Sequence, residues 1–250
     1  MPKIRKLLGE IFKLRFFIYR SRQEDRLIVM IKAIIYDLDN LMVNSFPLHI
    51  ETLELLLEKF GYKYKFRDLS KKSQSWFMGM RIFDILREII KELKLNVDFR
   101  SFYREYNKIF LEIVKNKLEP MPGLLESIWL FKRNNFKFAI ASSGTKEYIN
   151  LVLKKFSISD VFDIIISGDD VKIGKPDPEA YFVSCNKLGI PPQECLVLED
   201  ATTGIESAKR AGCKCIAIKN SNIPSQNLTE ADLILDSLRR VILDTINLLH

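Results

Sequence analysis

Two aspartates one residue apart, in Asp37-Leu38-Asp39, directly follow the apolar, β-branched run 31–36. A short run that ends in carboxylates is the pattern of a buried parallel strand with chemistry at its carboxyl end. Three further polar sets follow later apolar runs: Ser142 with Ser143, the segment 168–176 containing Lys175, and Glu199 with Asp200. In an open α/β sheet, ligands bind beyond the carboxyl ends of the strands, so these sets would converge on one crevice. So many carboxylates could not stay ionised together unneutralised, and an oxygen-rich site of this kind suits a hard cation such as Mg²⁺. A phosphate group would complete the coordination. Lys175 and the Ser142 hydroxyl can hold phosphate oxygens while a carboxylate free of its proton attacks phosphorus. The bland reading of each set is a solvated strand-end turn, but structural carboxylates rarely recur at successive strand ends.

These residues need a scaffold, and the chain between them supplies its pattern. Strands are expected at 31–36, 138–141, 164–166, 196–198, 215–218 and 233–235, with amphipathic helices at about 122–133, 146–155, 178–188 and 202–211. Strand and helix alternate, which predicts a doubly wound parallel α/β sheet. The interval 45–117 is helical in period: Leu53, Leu56, Leu57 and Phe60 form one apolar face, Ile82, Ile85, Leu86, Ile89 and Ile90 a second, and Phe102, Ile109, Phe110 and Ile113 a third. A crossover needs far fewer residues, so 45–117 reads as an inserted all-helical cap on a core made of 30–44 and 118–250. Its hinges fall near 44–47 and 118–123, where Pro120 and Pro122 punctuate the return.

The chain has 250 residues, 47% of them hydrophobic, enough for a sizeable core. No apolar run approaches the roughly 20 residues that span a bilayer, and a soluble, cytoplasmic protein is expected. Cys185, Cys195, Cys213 and Cys215 match no zinc or redox spacing and read as small buried residues in a reducing compartment. The formal charge of +7 is uneven: residues 1–29 hold eight basic and three acidic side chains, so the remaining 221 carry only +2. A body so close to neutral is not the footprint of a nucleic-acid binder. The segment 1–29 mixes cations with Ile, Leu and Phe as a membrane-surface helix or targeting segment would. The preferred expectation is a dispensable extension, with translation starting at Met30.

In order and spacing, IIYDLDNLMVNS, AIASSG, GDDVKIGKPDPEAY and LVLEDATTGIESAKRAG resemble the four motifs of the haloacid dehalogenase superfamily, within its β-phosphoglucomutase-like group of phosphatases and mutases. The resemblance runs from Met30 to His250. It implies that Asp37 is a nucleophile that becomes an aspartyl phosphate and that Asp39 is the general acid and base. It further implies that Asp37, the Asp39 carbonyl, Asp200 and Glu199, the last through water, hold Mg²⁺. Ser142, with Ser143 beside it, and Lys175 would bind the transferring phosphoryl group. Asn40 departs from the glycine that many members have there, and Asn tolerates a left-handed turn.

Three cap-side residues stay open. His49 stands where such proteins often place a histidine near the leaving group, or it is a packed residue. Ser45 sits at the hinge. Arg81 resembles a cap arginine that grips substrate, or it is a surface residue. Lys63, Lys65, Arg67, Lys71 and Lys72 read as a solvated helix face, and Trp76 and Trp129 as packing residues. The resulting expectation is Mg²⁺-dependent hydrolysis of a small phosphate monoester. A β-phosphoglucomutase-type phosphomutase ranks second, because the cap cations that would grip a second phosphate are not evident. A catalytically idle sugar-phosphate sensor ranks third. The expected partner is a small phosphate ester; oligomeric state is left open, and a monomer is consistent.

Overall fold

A computed structural model describes residues 30–249, so the basic segment 1–29 and its two readings lie outside the described residues, as does His250. Six strands, β1 (Ala33–Tyr36), β2 (Lys137–Ala141), β3 (Ile164–Ile166), β4 (Cys195–Glu199), β5 (Lys214–Ile218) and β6 (Leu233–Leu235), form one sheet ordered β3-β2-β1-β4-β5-β6. Every pairing is parallel. The order reverses at β1, so a crevice opens beyond its carboxyl end, between β2 and β4.

The two faces of the sheet differ in side-chain size, which follows from the period of two along each strand. Ile34 and Tyr36 share one face with Phe138, Ile140, Leu196 and Leu198, against which helices α5 (Leu124–Arg133) and α6 (Lys146–Lys155) pack through Ile128, Phe131, Ile149 and Val152. Ala33, Ala139, Ala141 and Cys195 lie on the other, where α7 (Glu179–Leu188) and α8 (Thr202–Arg210) settle through Ala180, Tyr181, Ile205 and Ala208. All four cysteines are buried on or beside that small-residue face. Trp129, expected to pack, is 48% exposed: α5 buries Leu124, Ser127, Ile128 and Phe131, which turns position 129 outward. Trp76 is part-buried against the core. No helix of the described residues is long and apolar enough to cross a membrane.

Between β1 and α5 the described residues hold α1 (Phe46–Lys59), a 3₁₀ turn (Phe66–Asp68), α2 (Lys71–Trp76), α3 (Ile82–Glu92) and α4 (Phe99–Lys117). Pro47 sits in the first turn of α1, where a missing N–H costs nothing. The Asp98 carboxylate caps α4 by accepting from Ser101 N at 2.9 Å. The chain's exit from β1 and its return toward α5 run side by side, joined by Asn44 N to Glu119 O (3.0 Å) and Met121 N to Met42 O (2.8 Å). The basic positions from Lys63 to Lys72 are exposed, but they span a loop, the 3₁₀ turn and α2 and so do not form one helix face.

Gly204 sets how closely α8 approaches the end of β4. A Cβ built there would lie 1.7 Å from Glu199 Oε1. Gly204→Ala is therefore expected to destabilise the fold by about 3 kcal/mol through overpacking. At Gly61, where φ is +83° and space is open, alanine should cost about 1 kcal/mol from its left-handed backbone alone. Urea denaturation of both variants checks the contrast, and equal losses would refute the packing account.

Candidate active site

The turn after β1 presents the first two carboxylates. Asp37 N donates to Leu198 O (3.0 Å), extending the ladder one residue beyond the strand. The chain then reverses, with Met42 N and Val43 N both donating to Leu38 O (2.9 and 3.2 Å). The reversal needs a left-handed residue at position 40, where φ is +63°. Asparagine does more here than glycine could. Its Oδ1 accepts from Phe46 N at 2.9 Å, capping α1; the backbone carbonyl of residue 40, which a glycine would share, accepts from Asn220 Nδ2 at 2.9 Å. Ser45 is fully buried under the same turn, 3.5 Å from Asn40 Oδ1.

At the centre lies the Lys175 ammonium, 4% exposed. It reaches Asp37 Oδ1 (2.6 Å), Glu199 Oε1 (2.7 Å), Tyr181 Oη (2.8 Å) and Ala141 O (3.1 Å). Burial alone would lower its pKa, but the charges of Asp37 and Glu199 outweigh that and raise it. Glu199 is fully engaged: Oε1 also accepts from Tyr181 Oη at 2.6 Å, and Oε2 accepts from the N–H groups of Asp200 and Ala201.

Asp37, Glu199 and Asp200 each offer a carboxylate oxygen within 4.8 Å of the others. Burial, then the neighbouring carboxylates Glu199 and Asp37, raise Asp200 well above the usual range against the pull of Lys175. Asp37 is raised chiefly by burial, with Lys175 opposing. Asp200 Oδ2 is buried and has no protein partner. Buried charges are stable only when paired or bound to metal, and this oxygen-only set with an orphaned carboxylate oxygen fits a hard divalent cation.

Asp39 is held differently. Tyr148 Oη donates to its Oδ1 at 2.8 Å, and His49 Nε2 lies 3.7 Å from the same oxygen. Burial would raise the Asp39 pKa, but the hydrogen bonding and charge of His49, then Ser45 and Tyr148, together lower it. His49 is itself fixed: its Nδ1 pairs with Tyr106 Oη at 2.7 Å, and its ring stacks on Phe110 with centroids 4.2 Å apart. Tyr148 is in the first turn of α6, whose N-cap Thr145 accepts its N–H.

Not every expected residue joins this cluster. Ser142 is buried beside it and accepts from Gly144 N at 2.9 Å. The Ser143 hydroxyl instead donates to Gly79 O at 2.6 Å, because the α2–α3 connection lies directly over it. Arg81 also turns away. Its Nε donates to Asp84 Oδ2 (2.8 Å), and its Nη1 lies 3.3 Å from both Val171 O and Lys172 O. Tyr106, Tyr148, Tyr181 and Gly204 were not singled out from sequence. The signal for Tyr148 was a hydroxyl-bearing aromatic one turn past a strand-end serine pair; for Tyr181 it was a buried aromatic six residues beyond Lys175.

A pocket of about 600 Å³, open solvent at its mouth included, has Asp37 and Asp39 in its floor, with His49 and Tyr148 at its side. Phe77, Met80, Ile82 and Ile85 line it from the helical segment.

Residues 34–218 match the model of the haloacid dehalogenase-like hydrolase family. The chain is 29% identical over 189 residues to a phosphorylated carbohydrates phosphatase of Thermotoga maritima, spanning 74% of this chain and 83% of that protein. Among solved structures, β-phosphoglucomutase from Clostridium difficile is similar with a TM-score of 0.73 at 26% identity, over 87% of this chain and 96% of that one. CbbY from Rhodobacter sphaeroides, in complex with phosphate, shares the fold with a TM-score of 0.78 at 21% identity, over 87% of this chain and all of that one. With the family model spanning the sheet from β1 to β5 and the helical segment between β1 and β2, the chain belongs to the haloacid dehalogenase-like hydrolases, in their phosphatase and phosphomutase group.

Proposed function

We propose that the protein hydrolyses small phosphate monoesters through an aspartyl phosphate on Asp37, with Mg²⁺ bound. The observation that carries this reading is the unequal treatment of two aspartates beside one pocket. Lys175 is paired with Asp37, whereas Asp39 is held by Tyr148 and His49. This difference supports Asp37 as the group that attacks and Asp39 as the one that moves a proton.

Asp39 must carry a proton in the reacting complex, although His49, Ser45 and Tyr148 favour its ionised form; an Asp37 oxygen then attacks phosphorus as the bond to the leaving oxygen breaks, and the Asp39 proton passes to that oxygen. Water then attacks the phosphoryl group, Asp39 takes its proton, and phosphate leaves with the Asp37 carboxylate restored. Ser142 donates to a phosphoryl oxygen. Lys175 holds the Asp37 carboxylate in place and contributes positive charge where negative charge develops. Asp37, Asp200 and the Asp39 carbonyl would hold Mg²⁺, with Glu199 acting through water. When bound, the cation neutralises the converging carboxylates and phosphoryl oxygens. The helical segment 45–117 acts as a cap that excludes bulk water when closed. The phosphomutase is the second reading, favoured by the β-phosphoglucomutase neighbour. Rapid conversion of β-glucose 1-phosphate to glucose 6-phosphate, with a trace of the bisphosphate, would replace the first reading by it.

Asp37→Asn is expected to abolish turnover while leaving the circular dichroism spectrum unchanged. It should also remove the beryllofluoride signal seen by fluorine NMR on the unaltered protein. Surviving Mg²⁺-dependent turnover would refute the nucleophile assignment.

Mg²⁺ should raise the unfolding midpoint, adding about 2.7 kcal/mol at one hundred times its dissociation constant. Asp200→Asn should remove most of that response; an unchanged Mg²⁺ dependence in calorimetry would exclude Asp200 as a ligand.

Tyr148→Phe should lower kcat/KM about 10- to 100-fold for alkyl phosphates, whose poor leaving groups need the Asp39 proton, since a hydrogen bond to a charged group contributes about 1.5–3 kcal/mol. For p-nitrophenyl phosphate, whose phenolate leaves unassisted, the loss should stay within about twofold. Equal losses on both substrates would show that Tyr148 has no part in positioning the proton donor.

A further inference from the structure

The helical wall of the pocket is built from Phe77, Met80, Ile82, Ile85, Phe110 and Leu111. Among the described residues lining the pocket there is no lysine or arginine. The hydroxyls near that wall are already committed: Tyr106 to His49, Tyr148 to Asp39, and Ser143 to Gly79 O. Asn107 is the polar side chain of the wall that is tied to no residue of the catalytic cluster. The nearby cation of the helical segment, Arg81, is bound to Asp84 and lies against the Val171 and Lys172 carbonyls.

We infer that the site selects phosphomonoesters whose leaving alcohol is uncharged and presents apolar carbon to this wall, and that it rejects esters carrying a second anionic group. The inference rests on the hydrolase reading and narrows its substrate class. A second phosphate or carboxylate driven against the wall would shed its hydration and find no lysine or arginine in return, only His49, which Asp39 and Tyr106 already engage. An apolar chain in the same place gains from each methylene removed from water, and about 0.8 kcal/mol per methylene corresponds to about fourfold. One amide at Asn107 leaves room for a single polar substituent, whose orientation it would set. The same wall disfavours the mutase reading, because a mutase must hold a bisphosphate intermediate at both ends.

A matched pair isolates the effect: butyl phosphate and the bisphosphate of 1,4-butanediol share a carbon chain and leaving alkoxide and differ in the distal charge. Butyl phosphate should show a kcat/KM at least about 30-fold higher, carried mostly by KM, and the series from methyl to butyl phosphate should rise by up to about fourfold per methylene. Ile82→Arg, or Leu111→Arg if the first variant does not fold, should narrow the gap about tenfold by supplying the missing cation. A bisphosphate that is turned over as well as butyl phosphate, or better, overturns the inference. Turnover of p-nitrophenyl phosphate tests the hydrolase reading separately. Should that reading fail, calorimetric binding of the same pair to the Asp37→Asn protein still decides the preference: tighter butyl phosphate supports it, while equal binding, absent binding or tighter bisphosphate defeats it.

Discussion

The rest of the site depends on one buried ammonium. Lys175 ties the end of β1 through Asp37, the end of β2 through the Ala141 carbonyl, the end of β4 through Glu199, and α7 through Tyr181. Four elements that come from separate parts of the chain meet on one nitrogen. The Coulombic attraction of two carboxylates offsets the cost of dehydrating the lysine, as its raised pKa reflects. One positive charge cannot also neutralise Asp200, whose free oxygen is orphaned beside it. The same arrangement that orders the strand ends therefore leaves a negative excess, and a divalent cation is the economical remedy.

This constraint explains which parts of the site were legible in the sequence. Parallel strands end in step, so polar residues after successive apolar runs must share one edge whatever the helices do. Asp37, Ser142, Lys175, Glu199 and Asp200 could be grouped on that ground alone. The helical partners could not. Tyr148 lies 109 residues from Asp39 along the chain, and its hydroxyl reaches the carboxylate only because Thr145 caps α6 in the right rotation. Arg81 shows the converse, since its residue type suits a phosphate while its surroundings offer two backbone carbonyls and Asp84. The strands and the flanking helices were legible from period. The exposed Trp129 was not, because residue type suggested burial where the helix phase of α5 decided otherwise.

Asn40 illustrates how a local departure can be absorbed without loss. A left-handed turn after β1 could be met by glycine, yet glycine has no side chain to satisfy the free N–H groups that open α1. Asn40 meets both demands, while the backbone carbonyl of the same position, as any residue's would, accepts from Asn220 in the loop after β5. The turn that carries Asp39 is thus tied to both the helical segment and the core.

The helical segment meets the core through packed side chains, the Phe110 and Tyr148 ring centroids lying 4.9 Å apart, and through backbone carbonyls. Gly79 O accepts from Ser143, Met78 O accepts from Thr203, and the carbonyls of Val171 and Lys172 receive Arg81. At Gly79, φ is +90° and a Cβ would lie 2.4 Å from Thr203 Oγ1, so only glycine permits this approach. Lys155 Nζ also donates to Lys115 O at 2.6 Å, and His49 stands beside Asp39; each net hydrogen bond between uncharged groups is worth about 1 kcal/mol in water. On the reading proposed above, selectivity would come from the apolar side chains of the helical wall, which need no partner to be satisfied, so the reaction and the choice of substrate would rest on different kinds of interaction. The charged groups lie below the pocket on the strand ends, where Lys175 can balance them, and the uncharged ones lie above it on the helices. Substitution on the helical side could therefore change the accepted alcohol without disturbing the balance of charge on which Asp37 depends.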